Sequence, residues 1–451
     1  MKRSSIPPGP KGHFLFGSIK DYKEDVLNFF LKISEEYGDL VSFNLGTKKI
    51  YLTKNPYLAE RVLKTKSKIY SKDTPGVQRV KEILPTGLLT TWGNEWKRQR
   101  KISQQAFRKN RIESFVGHFL NSSETTKSIW ENNLIKSDEI NITFSMMRNT
   151  LQSALSTMFT DGARGKSKEI IRDFAILNEI SNSKIPRIFN FPLWFPSPEN
   201  IKLNRANKNL HFILNNLIEK RRDSNQDYPD LLSFLMNACD EDTGKGFTDR
   251  ELIYQLLSIL LGGVDTSANT LSFAWFLAAT NEKLQEKLRE EAQLAFKKCS
   301  PNIEMLSNLP YTSMFINEVV RLYPPVPIFG RTALEEDSWE GYKIPKGTLI
   351  ITSPYVIHRN SKFWNEPNLF NPERHTKDKM NGMPSFSYFP YGGGPRTCIG
   401  MSYAQMQLPL TIASLVKDFE FIKDNDRKLE LKPSITLGTK YPIILKIRKR
   451  N

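Results

Sequence analysis

The sequence predicts a mainly α protein with small β-sheets, laid out as one unit across its 451 residues. Three observations carry this. Amphipathic segments, several opened by helix-capping residues, account for most of the chain. Strand-like runs are short and cluster near the N-terminus. No repeat, low-complexity linker or sharp composition break divides the chain, although its length could accommodate about three domains. Within the single unit, residues 1–70 read as β-rich and residues 90–425 as helical.

The elements follow in order. Pro7-Pro8-Gly9-Pro10 makes an opening turn, and an amphipathic helix runs from Val26 to Tyr37. Leu40–Leu45 and Lys49–Thr53 are strand-like and separated by Gly46-Thr47, the spacing of a hairpin. Residues 71–91 read as loop-rich. Next comes a helix on which Trp96 and Arg100, four apart, share one face. Residues 112–180 read as ordinary helices. The aromatic, Pro-punctuated stretch from Ile185 to Pro198 reads as a connection. Thr248-Asp249-Arg250-Glu251 is a capping box that starts a helix of about thirty residues, ending near Thr280. Pro310 opens another helix, which carries Glu318 and Arg321 and stops before Pro324-Pro325. A further helix opens at Met401.

Two short stretches limit the chemistry. In the long helix, Gly262-Gly263-Val264-Asp265-Thr266-Ser267 gathers locally unfavourable choices. Each glycine costs about 1 kcal/mol against alanine, and a buried aspartate costs more unless partnered. Close helix packing would explain the glycines but not the neighbouring acid and alcohol. The second stretch is Tyr391-Gly392-Gly393-Gly394-Pro395-Arg396-Thr397-Cys398-Ile399-Gly400. It offers one sulfur, a nearby cation and glycines that let backbone pass close to something flat and bulky. A helix opening just past Cys398 favours negative charge on the sulfur. Zinc is a poor match as the guest, since it usually takes closely spaced pairs and no second Cys or His lies within five residues.

This loop resembles the cysteine-ligand loop of the cytochrome P-450 family, the haem-thiolate monooxygenases, with Tyr391 standing where the family usually has Phe. The resemblance extends from Pro7 to about Leu445 through motifs in the family's order, and it implies a single cytochrome P-450-type fold holding haem b. It makes Cys398 the iron ligand. It assigns Asp265 and Thr266 to proton delivery to dioxygen, and Trp96, Arg100, Arg331 and Arg396 to the haem propionates. Glu318, Arg321 and Arg374, the last from Phe370-Asn371-Pro372-Glu373-Arg374, correspond to the family's structural Glu–Arg–Arg network, with an arginine left to bond carbonyls of the ligand loop. The Ile185–Pro198 connection corresponds to a mobile roof over the substrate entrance.

Composition bounds the partners. With 65 Lys+Arg against 48 Asp+Glu, the net charge is +17. Seven cations and no acid lie between Lys97 and Arg111, and Lys446, Arg448, Lys449 and Arg450 form a second basic group. No nucleic-acid-binding signature accompanies them, so an acidic protein partner is the better match. Three scattered cysteines, 239, 299 and 398, make no disulfide framework and suit a cytoplasmic location. No apolar run forms a membrane anchor, and a soluble bacterial monomer is expected.

No flavin or nicotinamide fingerprint is present. Electrons are therefore expected from an acidic ferredoxin or flavodoxin-like donor with its reductase. The implied reaction inserts one oxygen atom from dioxygen into a C–H bond of a small hydrophobic molecule of fatty-acid or terpenoid type. O-demethylation of a methylated sugar or natural product, a peroxygenase reaction and a non-catalytic haem sensor are the alternatives.

Overall fold

The computed structural model describes residues 6–160, 163, 165–184, 191–224, 226, 228–298, 303–424 and 428–450. Cys299 and residues 185–190 of the expected connection lie outside them. The chain forms two compact units. The first combines residues 1–78, 317–398 and 435–437, and the second holds the remainder.

The first unit is built on a five-stranded sheet whose strands come from both ends of the chain. Its order is Leu40–Leu45, Lys48–Thr53, Leu349–Thr352, Phe329–Ala333, Tyr70–Ser71. The hairpin expected around Gly46-Thr47 is present, with Leu40 opposite Thr53 and Leu45 opposite Lys48. Lys48–Thr53 then pairs parallel to Leu349–Thr352, and the other pairings are antiparallel. Helix Val26–Tyr37 covers one face through Phe29, Phe30 and Ile33 on Phe43 and Ile50, and Asp25 caps it by accepting from the Asn28 amide. A second apolar cluster joins Leu58, Val62, Leu63 and Tyr70 to Phe386 and Phe389, the residues that lead into the cysteine loop. Buried Asp337 fastens this side, accepting from Arg61 at 2.9 and 2.7 Å, Lys66 at 2.8 Å and Tyr70 at 2.8 Å.

The second unit is helical around the long helix Asp249–Ala279. Thr248 and Glu251 make the expected capping box, and 22 buried residues along the helix place it in the core. Ile142–Met158 packs along it. A three-stranded sheet, Glu139–Asn141, Ile444–Lys449 and Phe419–Ile422, closes one side.

One expectation needs correction. Residues 71–91 contain a helix, Pro75–Ile83. Proline suits a helix's first turn, and Thr74 receives the Val77 amide there. In the connection, the aromatics Phe191, Trp194 and Phe195 are exposed.

Candidate active site

In the first unit, the cysteine loop is closed by its own backbone. The Cys398 amide donates to the Tyr391 carbonyl at 2.9 Å, and Gly392 donates to Phe389 at 2.9 Å. The Thr397 amide and hydroxyl both reach the Gly394 carbonyl, at 3.1 and 2.7 Å. Cys398 itself is exposed at the loop's end. Gly392 and Gly394 adopt left-handed conformations, φ 71° and 67°. A Cβ on Gly394 would overlap the Leu63 carbonyl oxygen, and one on Gly393 would overlap the Phe386 ring. These two glycines therefore serve the loop's seat on the protein rather than clearance for a flat guest. Burial pushes the Tyr391 phenol up, and the Cys398 sulfur adds to the effect, so the phenol keeps its proton.

Cations gather in the same unit. Arg331 is buried, and burial works against its charge. Lys72 was not anticipated from the sequence: burial, then the charges of Arg396 and Arg331, pull its ammonium down to about 7. Three cations within electrostatic reach of one another repel unless an anion joins them. A guest with two carboxylates fits that arrangement.

Behind the loop, Glu318 and Arg321 are fully buried and bidentate at 2.7 and 2.8 Å. Arg374 lies 3.4 Å from Glu318, so the expected trio is assembled. His375, at 3.0 Å, and the Asn371 amide, at 2.9 Å, complete the carboxylate's shell. Burial pushes Glu318 up, but Arg321 and His375 outweigh it and hold the carboxyl below its usual range.

The arginines do not bond the ligand loop, contrary to expectation. Arg321 donates to the carbonyls of His358, Pro367 and Leu369, and Arg374 to those of Asn365, Glu366 and Leu369. The link to the loop passes through His358. Its Nδ1 meets the Arg321 carbonyl at 3.3 Å and its Nε2 accepts from the Phe389 amide at 2.9 Å. Burial, then Arg321, holds this imidazole well below its ordinary pKa, so it stays neutral with Nδ1 protonated.

In the second unit, Gly262 and Gly263 are exposed on a helix otherwise largely buried. A Cβ on Gly263 would meet nothing within 4 Å, and one on Gly262 only Leu89 at 4.0 Å. Helix packing therefore does not require either glycine. The Thr266 hydroxyl donates back to the Gly262 carbonyl at 2.8 Å, which leaves its oxygen as an acceptor. Asp265 is buried and accepts from Asn178 at 3.2 Å. Asn182 donates to Asn178 at 3.1 Å, and Ser434 donates to Asn182. No spacing in the sequence announces these amides, which come from the distant helix Ser167–Lys184. Trp96 and Arg100 are half-buried, one turn apart on Gly93–Ala106.

A reachable sulfur, positive charge for two carboxylates and a stretch of helix without side chains are what a haem-thiolate protein requires. The profile of the cytochrome P-450 family matches residues 7–447, and the chain belongs to that family. It is similar to cyclooctatin synthase of Streptomyces melanosporofaciens, 28% identical over 96% of this chain and 94% of that protein. It is likewise similar to cyclooctat-9-en-7-ol 5-monooxygenase of the same organism, at 29% over 86% of this chain and 83% of that protein. Pentalenene oxygenase of Streptomyces avermitilis is 26% identical over 93% of this chain and 92% of its own length. The protein is a cytochrome P-450 monooxygenase, using haem b and dioxygen. Among the described residues no helix is long and apolar enough to cross a membrane.

Proposed function

We propose that the enzyme hydroxylates a small hydrophobic molecule of terpenoid type, with two electrons from an acidic ferredoxin or flavodoxin-like donor and its reductase. The observation that carries this reading is the Gly262–Thr266 stretch, where an open Gly-Gly step adjoins an acid held by Asn178 and a hydroxyl that can accept. Cyclooctat-9-en-7-ol and pentalenene, which name two relatives, are by those names an alcohol and a hydrocarbon, and they support an apolar substrate.

In this reading Cys398 is the iron ligand, and Trp96, Arg100, Arg331 and Arg396 hold the propionates, with Lys72 within electrostatic reach of Arg331 and Arg396. Bound haem supplies the activation of dioxygen that puts one oxygen atom into a C–H bond and releases the other as water, consuming two electrons and two protons. Thr266, its own proton committed to Gly262, accepts a hydrogen bond from water and holds that water for proton transfer. Asp265 is the carboxylate from which the protons are passed on, and Asn178 fixes its orientation. The Glu318 network keeps the cysteine loop rigid through His358.

The test is turnover of candidate terpenes with a ferredoxin and reductase, after a screen for substrates that shift the haem Soret band. Carbon monoxide added to reduced protein should give the red-shifted band of thiolate ligation, lost in Cys398→Ser. Thr266→Ala should divert electrons to hydrogen peroxide and lower product per electron by about tenfold or more. Equal turnover with peroxide alone, unaffected by Thr266→Ala, would overturn the reading in favour of a peroxygenase.

A further inference from the structure

We propose that the turn His13–Gly17 is a lipid-surface anchor, which lays Phe14, Leu15 and Phe16 into the headgroup boundary of an anionic bilayer. These three consecutive side chains are 94%, 57% and 55% exposed. Single exposed apolar residues are ordinary, but three in a row on one turn are not.

The exposure is built rather than incidental. His13 and Gly17 exchange backbone hydrogen bonds at 2.9 and 2.7 Å. The His13 ring nitrogen Nδ1 accepts from the Leu15 and Phe16 amides at 3.2 and 3.3 Å. These bonds hold the turn closed; the Phe14 and Phe16 rings lie against the His13 ring, at 4.6 and 5.2 Å between centroids, and keep their outer faces open to solvent. The turn is also tied to the sheet's edge: Gly46 donates to the Phe16 carbonyl at 3.1 Å and Ser18 to Asn44 at 2.8 Å. Gly17 adopts φ 59°, and a Cβ there would overlap the Asn44 carbonyl oxygen.

Charge selects the occupant. The hairpin tip to which the turn is bonded carries exposed Lys48 and Lys49, and exposed Lys11 and Lys20 flank the turn in sequence. An apolar tip with a basic rim matches a surface of acyl chains beneath anionic headgroups. A second copy of the chain is the poorer match, because a five-residue turn cannot supply the roughly 800 Å² per partner of a stable interface. The anchor inserts a few side chains, so the attachment is reversible and salt-sensitive.

The test is co-sedimentation of the haem-loaded protein with vesicles of phosphatidylcholine alone or mixed with phosphatidylglycerol. Wild type should partition onto the mixed vesicles and much less onto the neutral ones. The triple variant Phe14→Ser/Leu15→Ser/Phe16→Ser should bind about tenfold more weakly or worse, with its melting temperature and Soret spectrum unchanged. Lys48→Glu/Lys49→Glu should weaken binding to mixed vesicles only. In Phe14→Trp, lipid should blue-shift the added indole emission. Wild type that ignores anionic vesicles, a triple variant that binds them as well as wild type, or a triple variant that instead converts a dimer to a monomer would each overturn the proposal.

Discussion

At the scale of single residues, His358 is the side chain that joins Arg321 to the stretch of chain leading into the cysteine loop. It is completely buried, donates from Nδ1 to Arg321 and accepts the Phe389 amide at Nε2, so a proton on Nε2 would break the second bond and add charge beside Arg321. Its folded pKa lies below the ordinary value, so the unfolded chain binds the extra proton first and stability falls as pH drops below about 6.5. The slope should approach 1.4 kcal/mol per pH unit, measured by urea unfolding between pH 5 and 8. Glu318, also held down, acts only lower, in the carboxylate range. Burial lowers His118 and His211 too, so the difference from His358→Asn isolates this residue. The variant should flatten the profile and lose about 1–3 kcal/mol at neutral pH, the cost of a poorly satisfied buried amide. The sequence made Glu318 and Arg321 legible because their spacing is local. His358, His375 and Lys72 are joined to their partners only by the fold, and no spacing announces them.

At the scale of elements, the long helix was the most legible part of the chain. Its capping box, its length and its unfavourable central stretch were all readable, and Asp249–Ala279 follows the expected bounds. What the sequence left open was the reason for the glycines, and the open space beside Gly263 decides against helix packing. A prediction with opposite signs follows. Gly263→Ala should stabilise the haem-free chain by about 0.5–1 kcal/mol, since alanine costs less backbone entropy and meets no neighbour. The same methyl group should weaken binding of dioxygen or substrate in the loaded enzyme. Urea unfolding of apoprotein and a Soret titration of holoprotein measure the two effects separately. Loss of stability in the apoprotein would show that packing holds the glycine after all. The Asn178–Asn182–Ser434 chain was not legible, because amides on an amphipathic helix carry no sign of the distant carboxylate they reach. Pro75–Ile83 was not legible either: it lies in a stretch that reads as loop-rich, although Pro75 suits the first turn of a helix.

At the scale of the whole molecule, the charge of +17 acts on association rather than on fold. Part of the basic run is already neutralised inside the second unit: Arg98 pairs with Glu251, Lys101 with Asp242 and Lys109 with Glu113. Such exposed pairs are weak and screened, and Lys97, Lys101, Arg108 and Lys109 remain exposed to solvent. An acidic electron donor meeting this surface is steered by long-range attraction, which raises the on-rate more than the affinity. Turnover limited by donor concentration should therefore fall by about tenfold as salt rises from low to several-fold above physiological strength. Turnover at saturating donor should change little. Lys97→Glu/Arg108→Glu should remove most of the salt dependence while leaving the carbon monoxide band and the melting temperature as in wild type. Steady-state rates against donor concentration at several salt levels measure this, and a salt response that persists in the double variant would place the donor's attraction on other cations.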